Sequence, residues 1–86
     1  MHEAALLKDL RRKIEELART QDVHRIVGVS LWVGALSHFT EAHLREEWPG
    51  VVAGTPAEGA RLDIEISRDA NDPRAQGVVL SSVRVE

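Results

Sequence analysis

The chain has 86 residues, a formal net charge of −3, 43% hydrophobic residues and no cysteine. That length holds one small domain, which buries roughly 60–65% of its unfolded surface, and the missing thiols exclude disulfides, thiolate metal sites and a cysteine nucleophile. The charge balance speaks against nucleic-acid binding, which needs a concentrated basic face; the one basic run, Arg11-Arg12-Lys13, lies among Asp9, Glu15 and Glu16 and reads as a solvated helix face.

No apolar run approaches the roughly 20 residues needed to span a bilayer, and Met1-His2-Glu3-Ala4-Ala5 lacks the basic and apolar regions of a signal peptide. A cytoplasmic protein is expected. Leu7, Leu10, Ile14, Leu17 and Ala18 recur at helical spacing, with the opposite-charge pairs Asp9/Lys13 and Arg11/Glu15 four apart, which predicts an amphipathic helix over Ala4–Arg19. Thr20-Gln21-Asp22 is a connector. From Arg25 to Val33 the period becomes two and predicts a strand, with Val27, Val29, Leu31 and Val33 on one face and Ile26, Gly28, Ser30 and Trp32 on the other.

Gly34 to Phe39 reads as a turn. Thr40 is an N-cap with Glu41 in the first turn of a second helix, and Phe39 and Leu44 fall at the hydrophobic-staple positions. That helix is expected to stop or kink near Trp48, because Pro49 lacks an amide donor and crowds the preceding turn; Val51 to Glu58 then reads as a short helical turn and loop. Arg61 to Arg68 alternates, with Leu62, Ile64 and Ile66 inward. A polar loop, Asp69-Ala70-Asn71-Asp72-Pro73-Arg74, leads to a last strand over Gly77–Val85, and these two strands are expected to pair as an antiparallel hairpin. The expected fold is α+β: a two-layer sandwich, with a three-stranded, mostly antiparallel sheet packed against two helices on one face and the option of a short edge strand from the first residues.

Met1-His2-Glu3 carries chemistry. An N-terminal X-His offers a square-planar metal the α-amine, the His2 amide and the His2 imidazole, closing fused chelate rings that favour Ni(II) or Cu(II) over the tetrahedron of zinc. Glu3 adds an amide nitrogen or its carboxylate. Met1 is expected to be retained, since a bulky second residue protects it from removal. His24 and His43 read as surface residues. His38, in the turn after the first strand, is the candidate auxiliary ligand if that turn folds near the N-terminus. Ser30, Ser37, Ser67, Ser81 and Ser82 lack a nucleophile-elbow setting, and Gly54-Thr55-Pro56-Ala57-Glu58-Gly59 lacks the lysine and spacing of a P-loop. An enzyme is not expected.

Three segments in order resemble the HypA/HybF family of nickel metallochaperones: Met1-His2-Glu3 opening into a helix, Val33-Gly34-Ala35-Leu36-Ser37, and Gly54-Thr55-Pro56-Ala57-Glu58-Gly59-Ala60-Arg61-Leu62-Asp63-Ile64-Glu65. Leu80-Ser81-Ser82-Val83-Arg84-Val85-Glu86 is similar to the family's final strand. The resemblance implies Ni(II) held at Met1, His2 and Glu3, delivery during [NiFe]-hydrogenase maturation, and two partners: a nickel-handling maturation GTPase and the hydrogenase large-subunit precursor. It departs from the family where a zinc module with two CxxC pairs would stand. Only Ser67 to Gln76 occupies that place, so residues 1–86 are expected to be a single domain that takes no zinc. Thr40 is neutral near a position that is acidic in some members, and Pro49-Gly50 interrupts a helix that usually runs on. The alternative reading is a metal-free adaptor for hydrogenase assembly, and an exposed edge strand would also permit a homodimer.

Overall fold

The computed structural model describes the backbone of residues 2–86 and the side chains from Ala4 onward. Its elements are α1 (His2–Thr20), β1 (Ile26–Val33), α2 (Glu41–Val52), β2 (Arg61–Ile66) and β3 (Val78–Val85). Strong helix formers, Ala4, Ala5, Leu6 and Leu7, carry the helical backbone back to His2, so the first residues add no edge strand. Leu10, Ile14 and Ala18 are buried along one stripe of α1, and Leu6, Leu7 and Leu17 pack beside them. The opposite face carries exposed ion pairs of Asp9 with Arg12 and Lys13 and of Arg11 with Glu15.

β1 is rich in β-branched and aliphatic residues, most of them buried, and takes the centre of the sheet, whose order is β2-β1-β3. It pairs with β2 in parallel and with β3 antiparallel. The expected hairpin between the last two strands is therefore not formed. A parallel pair needs a crossover, which α2 supplies. β2, with Arg61, Asp63 and Glu65 exposed on alternate positions, suits an edge.

Two irregularities adjust which side chains face the helices. Ile26 pairs with Val85 and Gly28 with Arg84, leaving Val27 as an extra residue on β1; Ser30 pairs with Ser82 and Leu31 with Leu80, leaving Ser81 extra on β3. The first bulge puts Ile26 in the core at 1% exposure and leaves Val27 only half-buried, reversing the expected order at that end. The rows that feed the core are Leu62–Val29–Val83, Ile64–Leu31–Leu80 and Ile66–Val33–Val78. Ile66, expected inward, stays 46% exposed at the end of its edge strand. The other face of the sheet is polar, apart from a row of Glu65, Trp32 and Val79.

α1 packs on β3, α2 on β2, and the helices on each other, giving the expected two-layer α+β arrangement with two helices against three strands. α2 does not stop at Trp48 but runs through Pro49 to Val52. Trp48, Val51 and Val52 are all buried, and Arg11 Nη1 donates to the Val51 carbonyl at 2.9 Å, so packing and a satisfied last turn offset the amide that Pro49 lacks. The helix start agrees with expectation: the Thr40 hydroxyl accepts from the His43 amide at 3.1 Å, and Phe39 and Leu44 are buried on either side of it.

The turn into β2 is built by its own residues. Gly54 and Gly59 adopt φ of 77° and 79°, a region open to glycine. Glu58 Oε1 accepts from the Gly54 amide at 2.9 Å, and buried Thr55 donates to the Val52 carbonyl at 2.7 Å. Among the described residues no helix is long and apolar enough to cross a membrane.

Candidate metal centre

His38, a candidate ligand, lies at one end of the sheet. β1 and β2 both end there, β3 begins there, and the β2–β3 link crosses the end of β1. This link is tightly held. The Gly34 amide donates to the Gly77 carbonyl at 2.8 Å, Leu36 to Ala75 at 2.7 Å and Ser67 to Val33 at 2.8 Å. Ala75 is buried, and a Cβ on Gly34 would fall 2.2 Å from the Ala75 oxygen, so only glycine allows the two segments to meet. Within the link, Asp72 Oδ1 accepts from the Arg74 amide at 2.7 Å and from its Nε at 3.3 Å. These charge-assisted bonds hold the Asp72 carboxyl below the ordinary aspartate range. The Arg74 guanidinium in turn lies 4.5 Å from the centre of the Trp32 ring.

The same anchoring presents His38. The Ser37 amide donates to the Gly34 carbonyl at 3.0 Å, and the Ser37 hydroxyl accepts from the Phe39 amide at 3.1 Å, which turns the chain tightly around His38 and leaves its side chain exposed. His38 lines an open cleft of about 610 Å³ with Ala5, Leu6, Asp9, Gln76 and Gly77. The turn after β1 thus shares a cleft with Ala5, Leu6 and Asp9 of α1. Asp9 sits in that cleft as an anion: hydrogen bonds from Lys13 and then Arg12 hold its carboxyl below the ordinary range.

The backbone amides of His2 and Glu3 fall in the first turn of α1. There no preceding helical carbonyl is available to accept from them, so they are free of the helix's own hydrogen-bond ladder. Met1 and the side chains of His2 and Glu3 lie outside the described residues. Among the described residues no group of three or more His, Asp or Glu side chains is placed to hold a metal. The other histidines are elsewhere: the His43 ring packs at 5.4 Å from Phe39, and His24 Nε2 lies 3.8 Å from Asp22 Oδ1 beyond the far end of α1. Sequence reasoning missed Asp9 and Gln76 as cleft residues, since neither carries a motif and only the topology brings them together.

Against this geometry the sequence comparisons are direct. The family described as HypA, hydrogenase/urease nickel incorporation, metallochaperone, matches residues 1–71. The chain belongs to the HypA family. It is 42% identical over 66 residues to the hydrogenase maturation factor HypA of Methylocella silvestris, covering 77% of this chain and 58% of that protein. With the HypA of Azorhizobium caulinodans it shares 42% identity over 62 residues, 72% of this chain and 55% of the relative. With that of Methanopyrus kandleri it shares 31% over 68 residues, 79% of this chain and 48% of the relative. The chain therefore spans about half the length of the HypA proteins it matches. The segments that carried the resemblance now have structural roles: Gly34 is the close approach to Ala75, and Gly54 to Gly59 is the turn that starts β2.

Proposed function

We propose that this chain is a nickel metallochaperone-like maturation factor for [NiFe]-hydrogenase, which takes Ni(II) as cargo at Met1, His2 and Glu3 and passes it to the enzyme precursor. The observation that carries the reading is the match of the whole stretch from the Met-His-Glu terminus through β2 to the HypA family. Donor chemistry supports it. The α-amine of Met1, the His2 amide and imidazole, and the Glu3 carboxylate form a set suited to a planar d⁸ ion. The deprotonated His2 amide and the carboxylate together cancel the charge of Ni(II), so the complex is neutral where the positive end of the α1 dipole would oppose a bare cation.

His38 is the auxiliary ligand in this reading, supported by the cleft it shares with Ala5 and Leu6. The partners are a nickel-handling maturation GTPase and the hydrogenase large-subunit precursor. The short Ser67–Gln76 link stands where the zinc module of the family would be, so residues 1–86 act as one domain that needs no zinc. The working compartment is the cytoplasm, and the protein catalyses no reaction.

Calorimetric titration of Ni(II) into the chain with its native terminus tests the reading. One equivalent should bind with the d–d absorption of planar nickel, and His2→Ala should abolish it. Binding no tighter than that of an isolated surface histidine would leave the metal-free adaptor as the function.

A further inference from the structure

We infer that two copies of this chain pair through the free edge of β3, antiparallel, with the two-fold axis between Ser81 and Ser82. Such pairing is independent of nickel. β3 is an edge of the sheet and pairs on one side with β1. Edge strands are commonly guarded by charge, proline or a covering group. In Val78–Val85 only Arg84 is charged, Leu80 and Val83 are half-buried, and Val85 is 47% exposed. The opposite edge is better guarded. β2 alternates Arg61, Asp63 and Glu65 on its outer face, and Arg45 Nη1 reaches from α2 to the Leu62 carbonyl at 3.0 Å.

The bulge in β3 selects both the occupant and the register. Successive residues of a regular strand face opposite sides, and directly opposed residues of an antiparallel pair share a side. The extra Ser81 breaks that alternation. Val78, Leu80, Val83 and Val85 lie in rows with Val33, Leu31, Val29 and Ile26 on the helix side, whereas Val79, Ser82 and Arg84 lie with Trp32, Ser30 and Gly28 on the open side. The Ser81 hydroxyl donates to the Ser30 carbonyl at 3.0 Å and lines an open groove there with Ser30, Asp63 and Glu65. From Val78 to Val85 the facing is therefore in, out, in, out, out, in, out, in, the same read in either direction. A regular strand would meet the extra residue as a mismatch; a second copy brings its own at the same place. One register then matches every face. Val78 opposes the partner's Val85, Leu80 the partner's Val83, Val79 the partner's Arg84 and Ser81 the partner's Ser82. Shifted registers of comparable length set inward side chains against outward ones.

β2 is poorly suited to pair with itself. Its two central registers set Asp63 against Asp63, or Asp63 against Glu65, like charges directly opposed. In the β3 pair each Arg84 instead stands opposite a valine, well apart from the other Arg84. The second ladder satisfies the outward backbone groups of Val78–Val85, and Leu80, Val83 and Val85 gain apolar neighbours on the helix side. The product is one continuous sheet of two β2-β1-β3 halves, related by a closed two-fold axis, with all helices on the same face.

Sedimentation equilibrium of the full chain tests the pairing, since twice the 9.5 kDa chain mass is readily told from one. The unaltered chain should dimerise reversibly between micromolar and millimolar concentration. Val79 is half-buried on the open side, opposes the partner's Arg84 twice per dimer and is remote from Arg84 of its own chain. Val79→Arg should therefore weaken the dimer and Val79→Glu tighten it, each by roughly tenfold in Kd. Adding Arg84→Glu to Val79→Arg should restore the dimer, which a folding defect would not do. A chain that stays monomeric at millimolar concentration overturns the proposal. A dimer whose Kd moves equally with Val79→Arg and Val79→Glu also overturns it, because another surface would then form the contact. Where Val79→Arg does not fold, tightening by Val79→Glu supports the register and its absence overturns it.

Discussion

Gly34 illustrates how one residue fixes the site. Its missing Cβ lets the Ala75 carbonyl close on β1, which in turn positions the turn that carries His38. Gly34→Ala should cost about 3 kcal/mol, the upper end of the range for overpacking, read as a lower urea midpoint at unchanged slope. Trp48 is the opposite case, a buried ring whose Nε1 has no hydrogen-bond partner among the described residues, so its burial rests on packing alone. At this scale the sequence was informative where a residue carries its own chemistry. Thr40 before a helix is readable from type and position. Asp9 and Gln76 were not, because their meaning comes from a cleft that joins α1, the turn after β1 and the β2–β3 link.

Among the elements, α2 departs most from sequence expectation. Pro49 is a local stop signal, but the burial of Trp48, Val51 and Val52 holds the helix through it. The helix therefore carries a local cost that substitution can relieve. Pro49→Ala should stabilise the fold by about 2 kcal/mol, the helix-interior penalty of proline less the entropy that proline removes from the unfolded chain. Thr40→Ala should destabilise it by about 1 kcal/mol through loss of the bond to the His43 amide. Thermal melts of the two variants should move in opposite directions. The strands were legible as strands because alternation survives in most of each. Their exact facing was not, since the extra residues Val27 and Ser81 shift the phase and leave no mark in composition. The hairpin expectation failed for a related reason: neighbours in sequence pair by default, but a β1–α2–β2 crossover puts β2 parallel to β1 and sends β3 to the other edge.

For the molecule as a whole, the β2–β3 link closes the end of the sheet with its own hydrogen bonds and the Arg74–Trp32 contact. Asp72 is held below the ordinary aspartate range by Arg74, so its contribution to folding is present above that range and is lost as pH falls through the lowered value. Acidification through that lowered value should therefore free Arg74 and change the Trp32 emission in a Trp48→Phe background, and Asp72→Asn should show the altered emission already at neutral pH. The zinc-free reading proposed above predicts that the metal-stripped chain melts cooperatively in EDTA. Nickel capture by a terminal amine remains the central claim, and lengthening the terminus tests it most directly. Two residues placed before Met1 leave every side chain in position but remove the amine from the chelate. The expected result is that the planar nickel absorption of the native chain disappears in the extended one; an undiminished planar band in the extended chain would contradict the terminal site.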